Sequence, residues 1–566
     1  MRPHYPVAVF MLVALAACTH QDVSNTPDAA VVLPVAAEAD YVQEKVANQS
    51  QRLERHIAMP SPATRASAAG IAAGNAPGMA YHDSWQPLPE SREKYASISD
   101  NPVKRARAEP VSTFSLDVDT GSYSNVRRFL SQGQLPPRDA VRVEELLNYF
   151  SYAYPAPKNA HPFSVSTEVA VAPWNPERLL LRVGVQTVDV SAQAMPPANL
   201  VFLVDVSGSM DSPDKLPLVQ ATLQQLVAQL RQQDRVALVV YAGRTAVELE
   251  STPGTQKEKI RAAIARLQAG GSTAGESAIR LAYQQARSGF IKGGINRILL
   301  ATDGDFNVGI TDIQQIKDLV AREREGGISL TTLGFGQGNY QEDLMEQIAD
   351  VGNGNYSYID SLDEGRKVLV EELSSTFNTV AADVKLQMEF NPDAISEWRL
   401  IGYENRVLRE EDFRNDKVDA AEVGAGKSVT AVYELTPAGG KGLLAPRRYE
   451  KTERSSASGR AGELGFLRVR YKQPGQQKAI EFDQAVTLRE LRATPTTDFR
   501  FAAAVAGFGQ LLRGGTYMNG FGYDQVKALA VAGRGTDEGG YRQAFVKLVD
   551  MAKSLTPAVP DVDEKK

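Results

Sequence analysis

Histidine and cysteine are nearly missing from this chain. Its 566 residues include one cysteine, Cys18, and 5 histidines, at positions 4, 20, 56, 82 and 161. A single cysteine excludes any disulfide within the chain. Beyond His161 neither residue occurs, so the larger part of the chain has no imidazole or thiol for general-base or nucleophilic work. Ser-His-Asp hydrolysis and a histidine-ligated zinc are thereby excluded from it. A strong charge of one sign is lacking too. The net charge is -6, which gives no electrostatic reason to expect nucleic acid as a partner. The apolar run "VAVFMLVALAAC", Val7 to Cys18, is too short to span a bilayer, which takes about 20 residues. What remains is ordinary globular material, 43% hydrophobic and 23% charged. At about 100–200 residues per domain, the length predicts several folded units.

The amino terminus has the order of a secretory signal: Arg2, the apolar run, then small residues. Leu15-Ala16-Ala17-Cys18 resembles the bacterial lipobox. That resemblance implies cleavage before Cys18 and acylation of the new terminus, with several acyl chains anchoring the protein to a membrane. Thr19 stands where an aspartate would favour inner-membrane retention, so the resemblance points to the outer membrane of a bacterial envelope, facing the periplasm.

Composition and periodicity then divide the chain. Residues 1–17 read as the signal peptide. Residues 18–112, rich in Ala, Ser, Pro and Asn, read as a disordered tether in which the basic patch "VKRARAEP" is solvated linker. Residues 113–197 form a small α+β segment, with helices at "YSNVRRFLSQG" and "AVRVEELLNYF" before two strands. Residues 198–380 alternate strand and helix without a break, which predicts a doubly wound, mainly parallel Rossmann-like sheet with helices on both faces. Within it, "VELE" reads as an edge strand, Thr311 and Gln314 as a capping box, and Ser361 with Glu364 as the cap of one long, packed final helix. Residues 381–488 alternate apolar and polar, as in a β-sandwich-like antiparallel module. Residues 489–556 turn helical, with Phe501, Val505, Phe508 and Leu512 on one stripe, and 557–566 read as a charged disordered tail.

The chemistry concentrates at "VDVSGSMDS", residues 204–212. A buried strand ends there in Asp205, Ser207 and Ser209. In a loop curling over the strand end these groups converge, and Gly208 between the serines permits a tight turn. Hydroxyls and a carboxylate are hard oxygen ligands, suited to Mg²⁺ or Mn²⁺ rather than zinc or copper. Further ligands are expected from other strand ends, where α/β sheets bind. Thr273, in the loop "GGSTAGE", and Asp303, in "ATDGD", stand at such ends.

Three lookalikes fail. "LDVDTGSYS" holds Asp119-Thr120-Gly121, the aspartic-protease tripeptide, but no second copy occurs to complete a dyad. It reads as a turn with a capping Asp or Ser. "AEVGAGKSV" lacks the first glycine of a phosphate loop and precedes a strand. "GFGQGN" is spaced wrongly for a dinucleotide loop and reads as a strand-to-helix turn, so no nucleotide is expected.

Asp205, Ser207, Ser209, Thr273 and Asp303 together resemble the metal-ion-dependent adhesion site, or MIDAS, of von Willebrand factor type A domains. The resemblance implies that the three hydroxyls contribute oxygen to the ion and that the two aspartates bind it directly or through water. A protein partner would then offer an Asp or Glu carboxylate to the ion. From about 113 to 555 the chain also resembles the YfbK-type bacterial lipoproteins, through "FSLDVDTGSYSNVRRFL", "AVRVEELLNYFSYAYP", the five metal-site residues and "FAAAVAGFGQLLRGG". The reading that follows is a membrane-anchored, envelope-facing adaptor that binds a protein through Mg²⁺ or Mn²⁺ and is not an enzyme. A metal-dependent hydrolase of envelope material and a non-binding scaffold are the alternatives.

Overall fold

The computed structural model describes residues 93–557, apart from 159–160, 243, 272–274, 305–312, 339 and 449–461. The signal peptide, Cys18, most of the tether, Thr273, Thr311 and nearly all of the charged tail therefore lie outside the described residues.

Ala198–Asp205 is an unbroken apolar run buried along its whole length. A strand buried on both faces must sit inside a sheet covered on both sides. It does: the six-stranded sheet runs Tyr356–Ile359, Ser329–Phe335, Ile295–Thr302, Ala198–Asp205, Arg235–Ala242, Arg244–Pro253. All neighbours are parallel except the last pair, where the edge strand expected at "VELE" extends over Arg244–Pro253. Period-two alternation sends Leu200, Phe202 and Val204 into one apolar cluster and Val201 and Leu203 into another, one per face of the sheet. Successive connections leave Ala198–Asp205 in opposite directions, so the strand order reverses beside it. Doubly wound sheets take ligands at that point, beyond the strand's carboxyl end; here that end is Asp205.

The final helix of this domain is not continuous. Ser361 caps it, its Oγ accepting Glu364 N at 3.2 Å. Leu362–Arg366 then gives way to a π-helical turn, Lys367–Glu371, before Leu373–Phe377. Glu372, just past the wide turn, is placed between Lys367 and Lys427 Nζ, the latter at 2.9 Å. Lys427 comes from a distant strand layer, and the helical spacing around Glu372 does not anticipate it.

The largest departure concerns the flanking segments. Residues 113–197 and 381–488 do not form separate units, because their strands share two antiparallel sheets. One runs Lys104–Arg105, Ile395–Ile401, Ser428–Pro437, Asn175–Thr187, Phe163–Ala172; the other runs Val407–Leu408, Val111–Ser115, Thr379–Phe390, Glu463–Lys472, Ala479–Thr487, with Val423–Gly424 paired to the side. Val183, Val185, Val429 and Ala431 from the first meet Leu386, Met388, Leu467 and Val469 from the second in one apolar cluster. The α/β domain is thus inserted, between Thr187 and Thr379, into a sandwich assembled from both sides of it. Alternation along a strand shows that one face is buried but does not name the partner strand, hence the misplaced boundary.

The tether is also shorter than expected. Lys104 and Arg105 pair with Trp398 and Glu397, Ala106 is fully buried, and Glu93 accepts Arg128 Nη2 at 2.8 Å. The basic patch is therefore the first strand of the sandwich. The C-terminal helices, Thr497–Leu512, Tyr523–Ala532 and Tyr541–Leu555, have no core of their own. Phe501, Val505, Phe508, Phe545 and Val549 pack into one cluster with Tyr123, Leu146, Leu147 and Phe150 of the amino-terminal segment. Phe150 stands edge-on to Phe501 with ring centroids 4.8 Å apart, the favoured aromatic geometry.

Candidate metal centre

At the carboxyl end of Ala198–Asp205 the chain turns through a short 3₁₀ segment, Gly208–Met210, into the helix Leu216–Gln229. Asp205 holds this turn. Its Oδ1 accepts Ser207 N at 2.9 Å and its Oδ2 accepts Thr302 Oγ1 at 3.0 Å. Thr302 in turn accepts Gly304 N at 3.1 Å, which fixes the loop carrying Asp303. The loop leading to Thr273 is drawn in by two main-chain bonds, Gly270 N to Val206 O at 2.8 Å and Gly208 N to Gly271 O at 3.1 Å. Three loops distant in sequence therefore meet over one strand end. Asp205, Ser207, Ser209 and Asp303 are among the described residues there, and Thr273 is just outside them.

Asp205 and Asp303 are fully buried, Ser207 nearly so, and Ser209 is exposed. The site thus has a closed, acidic floor and an open rim. Burial pushes the Asp205 carboxyl up to about 6, the hydrogen bonds from Ser207 oppose this, and the charge of Asp303 adds to the rise. Two carboxylates competing for one buried site are relieved by a cation.

The donor set fits a small divalent ion. Ser207 Oγ and Ser209 Oγ are 3.0 Å apart. Neighbouring ligands of an octahedral ion bound at about 2.1 Å are separated by about 3 Å, so the two hydroxyls already stand at the spacing of adjacent ligands. Both Asp205 oxygens are engaged in holding loops, which suits a carboxylate acting on the ion through water.

Two residues of the centre escaped the sequence reading. Thr302 is one. The other is Lys215, whose Nζ donates to Asp303 Oδ2 at 2.9 Å, with both side chains at least nine-tenths buried. Lys215 reaches Asp303 across Gly336, which has φ +71 and no side chain; a Cβ there would stand 2.3 Å from Lys215 Cε. "GFGQGN" is thus a turn, and one of its glycines clears the path of a lysine. Beside the centre, Arg244 and Arg266 line a groove of about 450 Å³ that also borders Val206 and Gly270.

The lookalikes resolve as well. Asp119 is buried and accepts Tyr356 N at 2.8 Å, while Asp117 accepts Asp119 N at 3.0 Å. The stretch does turn the chain, but it does not cap the following helix by a side chain: Thr120 occupies the N-cap without such a bond. "AEVGAGKSV" runs into the strand Ser428–Pro437.

Comparison with known proteins places three family models along the chain. The von Willebrand factor type A domain matches residues 199–372, a model described as von Willebrand factor matches 89–182, and one described as uncharacterized protein YfbK, C-terminal, matches 375–555. The uncharacterized protein YfbK of Escherichia coli (strain K12) is 50% identical over 473 residues, covering 82% of this chain and 81% of that protein. The uncharacterized protein sll0103 of Synechocystis is 28% identical over 225 residues, covering 40% of this chain and 52% of that one. Among solved structures, a von Willebrand factor type A protein from Catenulispora acidiphila matches with a TM-score of 0.40 and 16% identity, over 72% of this chain and 93% of that one.

Proposed function

Since the chain belongs to the family of Escherichia coli YfbK and carries a von Willebrand factor type A domain, we propose that it is an adaptor that binds a protein partner through a divalent cation at Asp205, Ser207, Ser209, Thr273 and Asp303. Mg²⁺ or Mn²⁺ is the ion the hard oxygen donors favour. The observation that carries this reading is the 3.0 Å separation of the two serine hydroxyls over buried Asp205 and Asp303. Bound there, the ion would supply a Lewis-acidic point for an acidic group of the partner. The chain's residues supply the rest. Asp205 holds the loops, the exposed Ser209 keeps one side open, and Arg266 gives the neighbouring groove a complement to an acidic surface, Arg244 being paired there with Glu248 at 2.7 Å.

The same proposal places the protein in a bacterial envelope, tethered through an acylated Cys18 and most consistent with the periplasmic side of an outer membrane. Its support is the order of Arg2, the apolar run and Leu15-Ala16-Ala17-Cys18. A binding rather than catalytic role is supported by the lack of histidine and cysteine beyond His161.

Capture of partners from envelope extract tests the reading, using the full chain with Mg²⁺, with EDTA, and as Asp205→Ala. A partner held in Mg²⁺ and lost in the other two is expected. Equal capture in all three would overturn it in favour of a scaffold. Turnover of an envelope polymer that Asp205→Ala abolishes would overturn it in favour of a hydrolase.

A further inference from the structure

The acids of "LDVDTGSYS" are not used by the metal centre, yet they are buried. They open onto a cavity of about 260 Å³ where the α/β domain meets the sandwich. Asp117, Asp119, Asp350, Asp419 and Glu422 line it, with Arg406 as the lining cation. Asp350 lies in the last turn of the helix Glu342–Val351, which leads into the strand Tyr356–Ile359 at its amino end. The cavity therefore lies at the edge of the sheet away from Asp205.

The acids there outnumber what Arg406 can neutralise. Its guanidinium is shared among Asp350 at 2.6 Å, Glu346 at 3.0 Å, Asp119 at 3.3 Å and Asp117 at 3.5 Å. Asp117, 2% exposed, keeps its Oδ2 buried without a hydrogen-bond partner. Glu422 is 8% exposed, lines the cavity, and makes no hydrogen bond or ion pair with any described residue. Arg297, whose charge reaches it, donates instead to Thr331 Oγ1 at 2.6 Å. Arg324 pairs with Asp419. Burial, then the neighbouring acids, hold the Glu422 carboxyl well above the usual range, and Asp119 likewise. The charges of Arg324 and Arg297 offset this only in part; an incompletely compensated buried carboxylate is costly, and a cation that enters reduces that cost.

The kind of cation follows from shape. A metal ion needs three or more oxygens about 2.1–2.6 Å from one point, and among the described residues no trio of acidic, histidine or cysteine groups is so placed. The cavity holds several heavy atoms, since one water takes about 30 Å³. Three of the wall acids, Asp117, Asp119 and Asp350, already face the planar guanidinium of Arg406, the kind of donor that carboxylates bind through several oxygens.

We propose that this cavity is a binding site for a small free organic cation, an amine or guanidinium of a few heavy atoms, held by Glu422.

Titration calorimetry of the full chain with n-propylamine, with methylguanidine, and with Ca²⁺ or Mg²⁺ alone, at constant ionic strength, tests this. One organic cation is expected to bind with a stoichiometry of one and to raise the melting temperature. Glu422→Gln keeps the shape and removes the charge, and is expected to weaken that binding tenfold or more while leaving Mn²⁺ binding at Asp205 unchanged. Asp350→Asn, at a partly exposed wall of the cavity, is expected to weaken it by a smaller factor and serves if the first variant misfolds. Absence of binding by both organic probes, equal binding by the wild type and both variants, or Ca²⁺ binding that Glu422→Gln abolishes would each overturn the assignment.

Discussion

Lys215 Nζ sits 2.9 Å from Asp303 Oδ2, inside the centre proposed to hold a divalent cation. An ammonium beside one of two buried carboxylates lowers the negative charge available to the ion. Lys215→Met is therefore expected to tighten Mn²⁺ binding by about tenfold, a change of about 1.4 kcal/mol, read by calorimetry on the full chain. The sign is decisive. Weaker binding in Lys215→Met would mean that the lysine serves to position Asp303, not to temper the site's charge.

Asp205 makes metal binding pH-dependent. Its carboxyl is raised from 3.8 to about 6 by burial, so in the unloaded native state it keeps a proton that the unfolded chain has released. Its contribution to stability is full below about pH 4 and is lost as pH rises through 6. A bound cation needs the carboxylate. Affinity for Mn²⁺ is therefore expected to fall by up to tenfold per pH unit below pH 6, and to be flat above pH 7. Affinity independent of pH between 5 and 7 would exclude Asp205 from the centre.

Arg142 is 1% exposed and faces Glu346 at 2.8 Å, Glu145 at 3.4 Å and Glu342 at 3.6 Å. Removing it leaves Glu145 and Glu342 without a cationic partner among the described residues, while Glu346 keeps Arg406 at 3.0 Å, so Arg142→Met is expected to cost about 3–5 kcal/mol in urea denaturation. Glu342 tests the converse. Burial outweighs Arg142 and raises its carboxyl from 4.5 to about 8, so its stabilising protonated form is lost as pH rises through 8. Glu342→Gln is expected to leave stability at pH 7 unchanged or higher and to flatten its decline between pH 5 and 8. A destabilised Glu342→Gln would show that its charge is used.

The shared sandwich has a direct consequence for fragments. Residues 188–378 contain both apolar clusters of the parallel sheet and are expected to fold alone and bind Mn²⁺, by circular dichroism and calorimetry. Residues 93–187 lack the strands that pair with Val111–Ser115 and one of the two that flank Asn175–Thr187 and are expected to stay unfolded unless 379–557 is supplied in trans. Independent folding of 93–187 would contradict the interleaved sheets.

The parallel sheet was legible because its signals are local. Ala198–Asp205 is apolar without interruption, helical stripes alternate with it, and a strand followed by Asp-x-Ser-x-Ser places its oxygens at a carboxyl end. Lys215 was not legible, because a lysine at the start of a helix looks like any solvated residue until Gly336 gives it a path inward. Asp117 and Asp119 looked like turn formers for the same reason, since the Arg406 and Tyr356 groups that engage them lie more than 230 residues away.

Residue order alone thus determined the periodicities, the two-faced burial of the central strand and the type of ligand its end can offer, all properties of neighbours along the chain. Only the tertiary structure decided which strands pair, how far the tether extends and where the charged groups end up. Those outcomes depend on contacts between distant segments, whose net free energy is a small difference between large burial and ordering terms and leaves no mark in any one stretch.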